Sequence, residues 1–151
     1  MPSARHSKSF QLRQPARVLF PLFSAEGERL WAPGWDYENV MGNTDLHEDY
    51  IFLTDNHDHA SNKAIWLIKR YAPEIFYIEF YKVEPADKVG TISVKCTELE
   101  DGYTEVTVSY MYTAISKQGE EFLKSFTWQA YSEFIDEWQK YLLIYFDELS
   151  D

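Results

Sequence analysis

Residues 119–149 constrain this chain more than any other stretch. Beyond Gly119 the run has neither Gly nor Pro. Phe122, Phe126, Ala130, Phe134, Trp138, Leu142 and Tyr145 recur at three- and four-residue steps. That spacing predicts one long amphipathic helix. Between about residues 44 and 112 the pattern changes to short runs of β-branched and aromatic residues, which predict strands. A helix and a sheet that are each apolar on one face must cover one another. The expected fold is therefore α+β, with a closing helix laid over a sheet, and what lies between the two becomes the functional question.

The totals narrow the answer. A chain of 151 residues has room for one domain with a real core. Its 5 Trp, 11 Tyr and 10 Phe exceed what packing a small core requires, so some rings are expected to face a ligand. A net charge of −11 repels nucleic-acid phosphates and anionic lipid surfaces, so neither is expected as a partner. One cysteine, Cys96, precludes an intramolecular disulfide and fits a reducing compartment. No apolar run has the length of a signal sequence or a membrane span. A cytoplasmic protein without membrane insertion is expected. The oligomeric state is left open.

Residues 1–8 are polar and basic and predict a flexible lead, followed by a single domain over 9–149. Phe10 and Leu12 alternate in a first strand over 8–13. Pro15 suits the first turn of a helix over 16–23, which Pro21 shortens or kinks. Ser24 is placed to cap a second short helix, closed by the turn Trp31-Ala32-Pro33-Gly34-Trp35. Strands are expected over 43–54, 63–71, 74–83, 88–98 and 103–114, with Asp101-Gly102 as a hairpin turn. In the last strand Val106, Val108, Tyr110 and Tyr112 share one face. Short connections predict antiparallel pairing throughout.

In this order of elements the chain resembles the helix-grip superfamily of START domains, birch-pollen allergens and polyketide cyclases (SRPBCC). Residues 15–24 resemble its stretch after the first strand, 26–35 its second short helix with a Trp and a Pro-Gly turn, and 122–149 its closing helix. The likeness is greatest to bacterial polyketide cyclase/dehydrase-like members. It implies a curved antiparallel sheet of about six to seven strands wrapped around a long C-terminal helix, with two short helices after the first strand. It also implies a cavity between sheet and helix for a small hydrophobic or aromatic molecule. The alternatives are a cyclase/aromatase-like enzyme and a co-chaperone-like interaction module, since one fold hosts many functions.

The expected ligand-binding residues are Trp31, Trp35, Trp66, Tyr110, Tyr112 and Trp138, with Arg70 and Glu79 as polar anchors. Tyr77, Tyr81, Trp128 and Tyr131 complete the aromatic candidates. Lys69 and Arg70 would lie on opposite faces of one strand. An inward Arg70 would need a carboxylate partner, for which Glu79 on the next strand is placed. In the enzymatic reading Arg70, Glu79, Tyr110 and Tyr112 would move protons. His57-Asp58-His59, preceded by Asp55, is the most metal-like cluster. It falls in a polar turn with no third ligand nearby, so neither metal nor cofactor is expected. Cys96, on the face of Ile92 and Val94, reads as a buried inert thiol. His47 reads as part of a wet strand face.

Overall fold

The computed structural model describes residues 2–55 and 63–150. Six strands form one antiparallel sheet in the order β1-β6-β5-β4-β3-β2. They are β1 Ser3–Leu12, β2 Ile51–Asp55, β3 Lys63–Ala72, β4 Tyr77–Glu84, β5 Lys88–Glu98 and β6 Thr104–Ala114. The helices are α1 Ala16–Leu19, α2 Ala25–Glu28, α3 Lys117–Ser125 and α4 Trp128–Leu149. This is the helix-grip arrangement: a curved sheet, two short helices after the first strand and a long helix at the end. Among the described residues no helix is long and apolar enough to cross a membrane. His57, Asp58 and His59 lie outside the described residues.

Strand β1 starts earlier than the hydropathy suggested. Ser3 already pairs with Thr113 on β6, so residues 3–8, expected as a flexible lead, are part of the sheet. Its helix-facing side carries polar residues that reach across to the end of α3 and to α4. His6 Nε2 lies 2.8 Å from the Phe126 carbonyl oxygen, and Lys8 Nζ donates to Ser132 Oγ at 2.6 Å. Strand β2, by contrast, is shorter than the expected 43–54. Asp49 has φ 72°, a left-handed conformation that interrupts an extended chain. The Tyr50 hydroxyl then holds the loop, 2.9 Å from Asn39 Oδ1 and 3.0 Å from the Asn43 carbonyl.

The short helices form as their punctuation dictates. At Pro21 the first gives way to a 3₁₀ turn over Phe20–Phe23. Ser24 Oγ accepts the Gly27 N–H at 2.9 Å and caps α2. Gly27 is required there, because a Cβ would sit 2.2 Å from the Pro21 carbonyl oxygen. That close approach presses α2 onto the preceding turn and fixes where Glu28 and Trp31 point.

The expected single helix over 119–149 is two helices. Phe126 has ψ 63°, outside the helical range, and Thr127 Oγ1 caps the second by accepting the Ala130 N–H at 3.2 Å. The break resets the helical phase. On α4 the buried residues are Tyr131, Ile135, Trp138 and Leu142, while Ala130 and Phe134 of the expected stripe are exposed.

The register sets the rows that face the helices. Tyr112, Gly90, Lys82, Trp66 and Phe52 line up across five strands. The adjacent row is Tyr110, Ile92, Phe80 and Ile68. Between Ile68 and Arg70 the register of β3 on β4 shifts. Such a bulge places two residues against one and re-aims the side chains beyond it. Lys69 and Arg70 therefore both face the other side of the sheet.

A ring-lined cavity as candidate functional site

The cavity is a consequence of how aromatic residues stack across that floor. Gly90 leaves room where a side chain would stand, and the Tyr112 ring occupies it: a Cβ on Gly90 would lie 2.7 Å from the ring. Trp66 stands two positions along the same row and packs parallel to Phe52, with centroids 5.5 Å apart. From α4 comes Trp138, whose ring lies 5.6 Å from Trp31 and 5.9 Å from Phe23. Trp35, past the Pro33-Gly34 turn, meets Trp66 edge-on at 5.9 Å. Rigid rings that brace one another edge to face hold a space open, because none has the rotamers to collapse into it.

The space has a volume of about 570 Å³. Its floor is Tyr110, Tyr112, Trp66 and Lys82. Its walls are Trp31 and Glu28 on one side and Phe122, Phe126, Phe134 and Trp138 on the other. Pro33, Gly34, Asp36, Asp55, Ala130 and Glu137 also line it and are exposed, which marks the mouth. Three indoles have their N–H groups engaged by the protein: Trp31 with the Leu22 carbonyl at 2.7 Å, Trp35 with the Ala25 carbonyl at 2.8 Å, and Trp66 with Thr54 Oγ1 at 2.9 Å. They offer the cavity apolar ring surface. Tyr110 and Tyr112 have no hydroxyl hydrogen bond among the described residues, and burial first of all raises the pKa of both phenols, which stay neutral.

Of the eight expected site residues, Trp31, Trp35, Trp66, Tyr110, Tyr112 and Trp138 come together on this cavity. Arg70 and Glu79 do not. The bulge turns Arg70 to the opposite face, where its guanidinium lies 5.2 Å from the centre of the Tyr77 ring. Glu79 alternates with the buried Ile78 and Phe80, so it too faces away, and it pairs with Lys69 at 2.9 Å. Tyr77 and Tyr81 share that outer face. Trp128 is 52% exposed, and Tyr131 is buried in the seam between α4 and β6.

The charged groups of the cavity are others. Lys82 shares the inner face of β4 with Ile78 and Phe80. Its Nζ lies 5.2 Å from the Trp66 ring centre and 4.0 Å from Glu84. Glu84 is buried and pairs with the equally buried Lys88 at 3.1 Å. Glu28 ends α2 and lines the cavity with neither a hydrogen bond nor an ion pair among the described residues. Burial pushes its carboxyl up to about 8, and Lys82 only partly offsets this. Both residues were legible by phase: Lys82 by alternation with Phe80, and Glu28 by the three-residue steps that join it to the buried Ala25 and Trp31. Cys96 is buried in the core, its thiol pushed up to about 12, in keeping with an inert side chain. His47 is exposed. Among the described residues no group of His, Cys, Asp and Glu is arranged to hold a metal.

No family model matches the sequence, and no curated protein is similar to it. Solved structures are similar in fold. A START superfamily protein from Mycobacterium smegmatis superposes with a TM-score of 0.70 at 14% identity, over 96% of this chain and 98% of that one. Norcoclaurine synthase from Thalictrum flavum gives 0.61 at 12% identity, over 82% and 74%. The Zhui aromatase/cyclase from Streptomyces sp. R1128 gives 0.58 at 10% identity, over 76% and 70%. At such identities the likeness establishes the fold alone.

Proposed function

We propose that this helix-grip protein binds a small hydrophobic or aromatic molecule in the cavity between sheet and closing helix. The observation that carries the reading is a space of about 570 Å³ kept open by braced rings, within the range of small-molecule sites. Trp31, Trp35, Trp66, Tyr110, Tyr112 and Trp138 would contact the molecule, which enters past the Pro33-Gly34 turn. Binding is the primary role, carried out in the cytoplasm, where the lone Cys96 stays a thiol. An open cavity also weighs against the interaction-module reading, which calls for a filled core and a large exposed apolar patch. One observation favours a second reading, that of a cyclase/aromatase-like enzyme: Glu28 is held protonated at neutral pH beside Tyr110, which is the state a general acid requires.

The neutral fluorescent probe N-phenyl-1-naphthylamine tests the first reading. It should bind once per chain and quench tryptophan emission. Tyr110→Ala and Trp35→Ala should each weaken it about tenfold, the loss of one ring contact, with folding unchanged by circular dichroism. If the folded protein takes up no probe, or both variants bind it as well as the parent, the pocket is not a ligand site.

A further inference from the structure

The Glu28 carboxyl on the cavity wall makes no hydrogen bond or ion pair among the described residues, and this points to the head group of its ligand. We propose that the cavity is a site for an organic cation, an aromatic or amphiphilic ammonium whose charged head sits between Glu28 and the surrounding rings. The proposal rests on the pocket reading above and adds the ligand's charge to it.

Three observations converge. Glu28 lines the cavity with neither hydrogen bond nor ion pair among the described residues, and Trp31, Tyr110 and Trp138 line the same space. A carboxylate framed by ring faces is what ammonium recognition uses, since the ring quadrupole and the anion both attract the cation. The protein's own cations are otherwise engaged. Lys82, the one basic residue of the lining among the described residues, lies against Trp66 and Glu84. Lys88 pairs with Glu84 and lies 3.8 Å from the Phe122 ring centre. The mouth is acidic as well. Asp36, Asp55 and Glu137 border it, and while Asp36 pairs with Arg29 at 2.9 Å and Asp55 with Lys63, Glu137 has no cation partner among the described residues. On a chain of net charge −11, this mouth draws cations inward.

Binding is then coupled to a proton. Without a bound cation Glu28 holds its proton up to about pH 8, because burial outweighs Lys82. Lys82 from β4 and Tyr110 from β6 interact with it, and Tyr112 from β6 and Glu137 and Tyr141 from α4 line the same cavity. Neither Tyr110, whose pKa is raised further, nor the exposed Glu137 supplies a compensating positive charge. A permanent ammonium that enters makes the carboxylate favourable, and Glu28 releases its proton to solvent. Affinity for such a ligand therefore rises with pH up to about 8 and levels off above it.

The experiment uses one skeleton, 2-(2-naphthyl)ethyl, with a trimethylammonium, a hydroxyl or a carboxylate head, titrated by calorimetry from pH 6 to 9. At pH 8.5 the trimethylammonium compound should bind about tenfold tighter than the hydroxyl compound, the gain of one cation–π and ion-pair contact. In Glu28→Gln that preference and its rise with pH should vanish, while the hydroxyl compound binds as in the parent and so reports an intact cavity. Lys82→Gln should bind the trimethylammonium compound more tightly than the parent does, and it carries the test should Glu28→Gln fail to fold. The proposal is overturned if the hydroxyl and trimethylammonium compounds bind equally, if the carboxylate compound binds best, or if Glu28→Gln keeps the preference. Binding of none of the three overturns the pocket reading itself.

Discussion

The two flanks of α4 are built differently. On the flank toward β1 and β6 the interface is closed. The Tyr131 hydroxyl donates to the Val108 carbonyl, Lys8 Nζ lies 2.6 Å from both Ser132 Oγ and Asp136 Oδ1, and Gln139 reaches the Gln11 carbonyl at 3.1 Å. On the other flank Phe134 and Trp138 face a gap, and no polar tie crosses from them to β3 or β4 among the described residues. The closed flank shows how the helix is positioned: directional bonds to an early strand fix its height and rotation. The open flank shows what that positioning is for. With the helix held from one side, Phe134 and Trp138 on the other meet the floor at Tyr110 and leave the space beside it open.

The largest test of this contrast is Trp138, on the open flank. It is 8% exposed and packs on Phe23, Trp31, Tyr110 and Phe134. Trp138→Ala should lower the unfolding free energy by about 3–5 kcal/mol in urea titration. A loss below about 1 kcal/mol would mean that the cavity wall contributes nothing to the fold.

Next comes the Glu28 carboxyl on the cavity wall. The Glu28 pKa is raised on folding from its ordinary value of 4.5 to about 8. The folded state therefore holds this proton where the unfolded state has lost it. The group's contribution is fully present below pH 4.5 and is lost as pH rises to about 8. Glu28→Gln removes the titration, so the variant should gain stability on the parent steadily across that window, by thermal unfolding at several pH values. Parallel stability curves for the two proteins would show that Glu28 is not desolvated.

Much of the fold could be read from the sequence because its signals are local. The Ser24 cap, the Pro21 interruption, the Asp101-Gly102 turn and the alternation of Val106 to Tyr112 each depend on a few neighbouring residues. Misplaced elements depended on distant partners. Strand β1 pairs from Ser3 because β6 and α4 are there to receive polar side chains. The helix break at Phe126 has Thr127 as its signal, but Thr also occurs within helices, and no Gly or Pro marked the site. The six expected rings that line the cavity follow from face and phase. The charged residues do not follow as easily. One bulge carried Arg70 to the outer face, and the alternation that turns Glu79 outward turns Lys82, three residues on, inward.

The closed flank has its own smaller test. Tyr131 is 1% exposed and its hydroxyl bonds the Val108 carbonyl. Tyr131→Phe keeps the ring and removes only that bond, so it should cost about 0.5–1.5 kcal/mol. It should leave the affinity for N-phenyl-1-naphthylamine unchanged, because Tyr131 is not part of the cavity lining. A changed affinity would join the two flanks into one unit.

Phe134 gives the converse and the smallest effect on stability. It is 41% exposed, it lines the cavity, and its main neighbours are Tyr110 at 5.6 Å and Trp138 at 5.8 Å, both edge-on. A side chain that remains so accessible loses little when removed, since its atoms were never fully taken from water. No sealed void results either, because the space it vacates is continuous with the cavity mouth. Phe134→Ala should therefore cost less than about 1 kcal/mol in urea titration. The same change takes away one ring face from the wall, so probe affinity should fall several-fold. A large loss of stability with unaltered probe binding would reverse the assignment: Phe134 would then be core, and the rings on the open flank of α4 would hold the domain together rather than serve a ligand.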